Sequence, residues 1–347
     1  MSVTIYRDPT VFETLAAEWN GLVDANPASP PFVRAEWLAL WWRIVGQGAL
    51  CIIAVRDAAE ALVGVAPLYL VEEAGERLLR QVGYGRPFYM EISDYLDFVV
   101  APGQEAALYA AVFDTLTGAR PGLEAPAWDR IELCNLGGWS PLLTGVEAHA
   151  ANWGLQVEKS PLSLCPVIPL PDTWDAYLES LDSKQRREIK RKLRRADGDI
   201  DAGWYIVGPD HDIRAEAQAF VDMMAGSGKG KEEFLIPQMR EMFVEGMLAA
   251  QANGWLQLAF LVVRGRKAAA YLNFDYHDRI WVFNSAINVE ASGGISTGWV
   301  LLAQLIRRAI ENGRKHYDFL RGDEEYKLHF GGQLTEIYKL SITRRGA

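Results

Sequence analysis

Histidine and cysteine are scarce, with five and three among 347 residues. His149, His211, His277, His316 and His329 stand far apart, and Cys51, Cys134 and Cys165 fall in no CxxC or mixed Cys/His spacing. That excludes the common structural zinc patterns and argues for reduced thiols, and nothing in the sequence argues for a metal. HExxH and GxGxxG are missing, which sets aside zinc-peptidase and dinucleotide-fold chemistry. Long apolar runs are missing too. The longest nearly apolar stretch, ALVGVAPLYLV at 61–71, is too short to cross a bilayer and contains a proline, so no transmembrane segment is expected. The opening residues MSVTIYRDPT lack the basic-then-apolar order of a secretory signal, and the expectation is a cytoplasmic protein.

Positive charge is also in deficit. The formal net charge of −10 speaks against a general nucleic-acid binder and against DNA as a partner. One segment reverses this: in KQRREIKRKLRR, residues 184–195, eight of twelve side chains are basic and only Glu188 is acidic, while the rest of the chain holds 27 basic against 44 acidic residues. Leu178, Leu181, Ile189 and Leu193 share one narrow stripe at helical spacing, which predicts an amphipathic helix with a wide charged face. An anionic partner is expected at that face.

What the chain does have is ample apolar content, half its residues, and a length that favours two domains. Each half runs in the same order. In the first, LCIIAVRDAAEALVGVAPLYLV reads as two strands around a polar turn, followed by an extended SDYLDFVV, a helix in QEAALYAAVFDTL and a strand in WDRIELCNL. Trp37, Trp41 and Trp42 fall at helical spacing and are expected in the core. In the second, LQLAFLVVRGRKAAAYLNFDYHDRIWVFNSA gives a hairpin and a third strand. STGWVLLAQLIRRAIENG then gives a helix ending at Gly313, and KHYDFL a strand. Asp210 is expected to cap a helix through Phe220 and Met224, another helix runs from Pro237 to Asn253, and GSGKGKEE between them reads as a flexible lysine loop that does not satisfy the P-loop spacing. The fold class expected is α/β (α+β), with a mixed, mostly antiparallel sheet flanked by helices in each of two tandem domains, 1–160 and 161–347. Their boundary lies near the proline-rich KSPLSLCPVIPLPDTW.

Two stretches carry chemistry. ASGGISTG, residues 291–298, leaves a helix entrance almost bare of side chains. It serves either as a sharp turn capped by Ser296 or Thr297, or as an anion site where phosphate meets free N–H groups and the positive end of the helix. YDFLRGDEEYKLHFGG, residues 317–332, gathers Asp318, Arg321, Asp323, Glu324, Glu325, Tyr326 and Lys327 at a strand end, either as a solvated turn or as part of the same site.

SGGISTGWVLLAQLIRRAIENGRKHYDFLRGDEEYKLHF, the LDSKQRREIKRKLRR helix, and EWLALWW, VGVAPLYLV and SDYLDFVVAPG in the first half together resemble the CelD-type acyltransferases of the GCN5-related N-acetyltransferase (GNAT) superfamily. Those are associated with cellulose or exopolysaccharide biosynthesis. The resemblance implies two tandem acetyltransferase-like domains, an arrangement shared with Fem-type aminoacyl transferases, the first domain without cofactor and the second with the donor site. It implies acetyl-CoA or another acyl-CoA as co-substrate, its pyrophosphate against Gly293, Gly294, Ser296, Thr297 and Gly298, although ASGGISTG lacks the superfamily's Gln or Arg at the start of that motif. Acyl transfer to an amine or hydroxyl then needs a base, for which Asp323 and Glu324 are candidates. It also needs an oxyanion donor, from the main chain near Phe283 to Ala286, and an acid for the departing thiolate, Tyr326. Arg321 and Lys327 are candidates for binding the acceptor, a small molecule or saccharide. The alternatives are a Fem-like transferase using aminoacyl-tRNA and a catalytically silent adaptor in polysaccharide synthesis.

Overall fold

The chain is described by a computed structural model over residues 1–85, 91–198 and 201–346. It divides into two compact units, Met1–Ser163 with Glu336–Ala347, and Leu164–Thr335.

The first unit runs β1 (Ser2–Tyr6), α1 (Val11–Thr14), α2 (Ala16–Asp24), α3 (Ala35–Val45), β2 (Ala49–Arg56), β3 (Leu62–Glu73), β4 (Glu76–Gln81), β5 (Val99–Val100), α4 (Glu105–Leu116), β6 (Arg130–Gly137), α5 (Pro141–His149) and the start of β7 (Leu155–Pro169). Its sheet orders β1-β2-β3-β4-β6, with β5 on β3. All of these pairs are antiparallel except β4 with β6, which run parallel across the α4 crossover. Strands β2 and β3 are apolar at nearly every position because both of their faces are covered. On one face α4 sets Leu108, Val112, Phe113 and Leu116 against Ile53, Val55, Ala66 and Leu133. Trp37 and Trp41 are buried as expected and Trp42 is half-buried; the Trp37 indole N–H donates to Ser93 Oγ at 2.9 Å. Buried Arg80 on β4 bridges Glu73 and Glu132, and Lys339 closes on Glu132 from the other side, so the charges of this network are paired.

The second unit continues from β7 through α6 (Trp174–Ser180), α7 (Ser183–Ala196), β8 (Ala202–Ile206), α8 (Ile213–Ala225), α9 (Lys229–Phe234), α10 (Pro237–Ala252), β9 (Leu256–Val263), β10 (Arg266–Tyr276), β11 (Arg279–Ile287), α11 (Thr297–Glu311), β12 (His316–Asp318), α12 (Glu325–His329) and the start of β13 (Gln333–Arg344). The order is β7-β12-β11-β10-β9-β8, with only β11 and β12 parallel. Helix α11 packs its apolar face, including Leu301, Leu305 and Ile306, with Tyr177, Leu178 and Ile189 and with sheet residues such as Leu261 and Tyr271. It stops where Gly313 takes a left-handed φ of +73° just past the C-cap Asn312. Each unit is thus a mixed, mostly antiparallel sheet with helices on it. Among the described residues no helix is long and apolar enough to cross a membrane.

Three local expectations differ. Asp212, not Asp210, caps α8: its extended backbone lets Oδ1 accept from the N–H groups of Arg214 and Ala215. SDYLDFVV pairs only at Val99 and Val100, because Tyr95 takes φ +54° and Asp97 turns its carboxylate onto the Phe98 N–H at 2.7 Å. The lysine loop carries a helix, α9, opened by Gly228 at φ +147°.

Candidate functional site

Gly293 and Gly294 both lie in the left-handed region, at φ +58° and +80°, and turn the chain from β11 into α11. Ser296 occupies the N-cap position, yet its side chain makes no capping bond. The Thr297 hydroxyl instead donates to Ala268 O at 3.4 Å. The first backbone bond from the cap residue runs from Val300 N–H to Ser296 C=O, so the Gly298 and Trp299 N–H groups precede it at the positive end of a 15-residue helix. A Cβ placed on Gly294 would stand 3.8 Å from the Arg195 guanidinium, which brings the end of the basic helix α7 to this turn. Lys192 of α7 sits over the Trp299 ring, 3.4 Å from its centroid. Gly298 has a second reason to be bare, since a Cβ there would come within 2.7 Å of the Ile287 side chain.

Strand β11 reaches the same region and parts from its neighbour there. Its parallel pairing with β12 ends at Trp281 and Asp318, while β11 itself continues to Ile287. The register against β10 also slips between Leu272 and Asn273, which leaves Phe283 as a bulge. The edge of β11 beyond the bulge is met by the segment before and within α9. Ser227 Oγ accepts from the Ile287 N–H at 2.9 Å, and its one proton goes to the Met223 carbonyl at 2.8 Å, with the Ile287 carbonyl at 3.1 Å. The Lys231 ammonium donates to Asn284 Oδ1 at 3.1 Å and to the Ser285 carbonyl. Burial presses that ammonium below the ordinary lysine value, and the charge of Glu324 pulls it part of the way back.

Beyond β12, buried Asp318 holds the next turn: one oxygen accepts from the Leu320 N–H at 2.9 Å and the other pairs with Arg279 at 2.9 Å. Lys327 then organises the loop. It is only 4 % exposed, and its ammonium reaches the carbonyls of Phe319, Arg321 and Gly322 at 3.3, 3.2 and 2.9 Å and Glu324 Oε2 at 2.7 Å. Burial pushes the Glu324 carboxyl up, but the Lys327 hydrogen bond and charge, joined by the charge of Lys231, outweigh it and leave the group below the ordinary glutamate range. Tyr326 packs edge-on to Phe319, and burial raises its phenol well above the usual value.

Of the residues singled out in the sequence, Gly293, Gly294, Ser296, Thr297 and Gly298 gather at the helix entrance, and Arg321, Asp323, Glu324, Tyr326 and Lys327 gather in the loop. Trp299 joins the two groups by packing against Phe330 at 4.8 Å and His329 at 5.9 Å. Glu324 faces Lys231, Asp323 is exposed, and Lys327 has its three protons engaged within the chain. The Ser285 N–H in the strand assigned to the oxyanion is held by Asn284 Oδ1 at 2.9 Å. Ser227 and Lys231 go beyond the sequence candidates, their signal being the Gly-Lys composition of their loop, while Arg195 ends the 184–195 segment at which an anionic partner is expected. Residues 294–298 also read G-x-S-x-G, but Ser296 lies well past the end of β11, and among the described residues no histidine bonds it, so a nucleophile elbow is not formed. Among the described residues no His/Cys/Asp/Glu group is arranged to hold a metal.

Residues 183–328 match the family model described as an acetyltransferase (GNAT) domain, a stretch shorter than half the chain. No curated protein sequence matches the chain. Among solved structures it is similar to FemX, at 12 % identity over 98 % of this chain and 97 % of that one, with a TM-score of 0.65. It is also similar to a Bacteroides thetaiotaomicron protein of unknown function, at 10 % identity over 99 % and 100 % with a TM-score of 0.59. A third relative is a C-terminal domain from Agrobacterium fabrum described as that of a lysylphosphatidylglycerol synthetase, at 11 % identity over 96 % and 92 % with a TM-score of 0.53. Such identities establish a shared fold alone. The chain has a GNAT-type acetyltransferase fold with FemX among its structural neighbours, and its matched domain indicates a transferase.

Proposed function

We propose that the second unit is an acyltransferase that takes its acyl group from acetyl-CoA or another acyl-CoA and delivers it to an amine or hydroxyl. The acceptor proposed is a saccharide precursor met in the cytoplasm, in keeping with the CelD-type resemblance. The observation that carries this reading is the parting of β11 from β12 beside a helix entrance with no side-chain cap and with Arg195 at its turn. The entrance suits a pyrophosphate: Gly293, Gly294 and Gly298 keep side chains away, first-turn N–H groups donate, and Arg195 adds charge. CoA itself supplies the activated thioester.

The chain's own groups then have distinct tasks. Lys327 holds the 319–324 loop in place and keeps Glu324 ionised beside Lys231. Glu324, or the neighbouring Asp323, takes the proton from the acceptor amine as its nitrogen bonds to the acyl carbon. Tyr326, held protonated by burial, returns a proton to sulfur as the carbon–sulfur bond breaks. Arg321 binds the acceptor. Ser227 and Lys231 meet the β11 edge that amide groups of the donor would otherwise pair with. Glu324→Gln is expected to lower turnover about a hundredfold while leaving donor affinity within about twofold. If Glu324→Gln and Asp323→Asn both keep wild-type rates between about pH 6 and 9, the base lies elsewhere.

A second reading, an aminoacyl-tRNA donor, is favoured by helix α7. Asp182 caps it through the Lys184 and Gln185 N–H groups, Ile189 faces the core, and Arg187, Lys190, Arg191 and Arg194 line an open depression of about 450 Å³. Under this reading, replacing Arg187, Arg191 and Arg194 by Gln lowers the salt slope of tRNA binding by about three units. Salt-independent or absent binding, with full activity on acyl-CoA, leaves α7 a solvated face. Thermal shifts across a series of CoA thioesters and aminoacyl-tRNA separate the two donors, and stabilisation by neither supports the silent adaptor.

A further inference from the structure

At the start of its crossover helix the first unit carries the opposite charge. Where α11 opens on glycines, α4 opens on Glu105, whose Oε1 accepts from the Gly103 N–H at 3.1 Å. Glu105, Tyr109 and Pro141 line two adjoining cavities of this unit, of about 60 and 240 Å³. The smaller contains Asp97 and, at its rim, Trp139, which is 42 % exposed and leans on Tyr95 with ring centroids 4.6 Å apart. The larger runs between α4 and α5 over Ala106, Ala110 and Gly145 to Trp153, an apolar wall. Among the described residues no lysine or arginine lines either one.

Tyr109 joins the two. Its ring lies against Gly145, where a Cβ would come within 2.7 Å of it, and the residue is only 3 % exposed. Among the described residues its hydroxyl has no hydrogen-bond partner, and the charges of Asp97 and Glu105 both act on it. The residue is almost wholly covered, yet its hydroxyl reaches the cavity space beside two carboxylates with no protein partner, so water or a ligand donor completes it.

We infer that these cavities form a ligand site of the first unit for a primary ammonium carried on an apolar or aromatic body. The ammonium meets Asp97, Glu105 and the Tyr109 hydroxyl, with the Trp139 and Tyr95 rings beside it, and the body lies along the α4–α5 groove. Three donors on an ammonium match three oxygen acceptors, and aromatic faces add cation–π attraction. The site is independent of the donor chemistry proposed for the second unit.

The test is calorimetric titration of the full chain with phenethylamine, and with phenethyl alcohol as the uncharged control of the same shape. Saturable binding of the amine at least about tenfold tighter than the alcohol is expected, as one charge-assisted contact is worth that much. Asp97→Asn and Glu105→Gln each weaken it about tenfold, and Tyr109→Phe less, with far-ultraviolet circular dichroism confirming that each variant is folded. Burial pushes the Asp97 carboxyl up to about 7, against hydrogen bonds from Ser140 and the Phe98 N–H. Among the described residues the other titratable groups facing the cavities are Glu105 and Tyr109 of α4, His149 of α5, and Tyr95. Amine affinity therefore rises from about pH 6 to about pH 8 as Asp97 ionises, and binding near neutrality releases a proton. Equal affinity for amine and alcohol, no binding of either, or undiminished binding in a folded Asp97→Asn/Glu105→Gln double variant overturns the proposal.

Discussion

Gly294→Glu is expected to lose about a hundredfold in affinity for acetyl-CoA while remaining folded. Two effects add. At φ +80° any side chain is strained, which by itself costs about 1 kcal/mol. The larger effect is charge. A Cβ at this position stands 3.8 Å from the Arg195 guanidinium, so a glutamate has space to form an ion pair with it and occupies the cation proposed for the pyrophosphate. The new carboxylate also faces the positive end of α11, where it competes with phosphate for the first-turn N–H groups. Gly294→Ala separates the terms: it carries the strain without the charge and should weaken binding only severalfold. Arg195→Gln removes the cation without strain and should cost about tenfold. Calorimetric affinities for the three variants check this order, and an unchanged affinity in Gly294→Glu removes the pyrophosphate assignment.

Much of this region is legible in the sequence, and what is not has a physical reason. Helix α11 shows because its apolar residues recur at helical spacing between a glycine-rich entrance and Gly313. The β9–β11 meander shows because two polar turns, RGRK and YHDR, cut continuous apolar runs. The acidic and basic residues of 321–327 are visible as a cluster, but their division of labour is not. Lys327 and Arg321 look equivalent in composition, and only the fold turns the Lys327 ammonium inward onto three carbonyls. Lys231 lies still further from what periodicity reveals. It sits in a segment with no apolar pattern, and its contacts with Asn284 and Ser285 join residues more than fifty positions apart. Asp210 and Asp212 are alike by residue type, and the backbone angle at Asp212 decides which one caps. In the first unit Asp97 and Glu105 read as ordinary acidic residues beside a strand and a helix; the cavity they share exists only in the packed structure.

Lys327→Met is expected to destabilise the second unit by about 3 kcal/mol, a fall in thermal midpoint of roughly 6–12 °C for a unit of this size. Methionine fills the same channel, so the loss is electrostatic and not a cavity effect. The carbonyls of Phe319, Arg321 and Gly322 lose their common donor, and the partly enclosed ones among them are left without a partner. The ion pair with Glu324 contributes less, because that carboxylate is only partly covered and water screens its open side. Lys327→Arg should not rescue: its planar fork spreads donors outward, whereas the carbonyls converge on one nitrogen. Acid gives a second readout with a definite sign. In the wild type the Glu324 carboxyl is held below its unfolded value, so it contributes stability above that value and loses it as pH falls through the folded one. In Lys327→Met the main cause of that depression is gone and burial acts unopposed by Lys327. The gap in midpoint between wild type and variant should therefore narrow as the pH is lowered below about 4. Turnover should fall with stability at neutral pH, because Glu324 is no longer held beside Lys231. A midpoint in Lys327→Met within about a degree of wild type at neutral pH, where a loss of even 1 kcal/mol would move it further, shows that the ammonium does not organise the 319–324 loop.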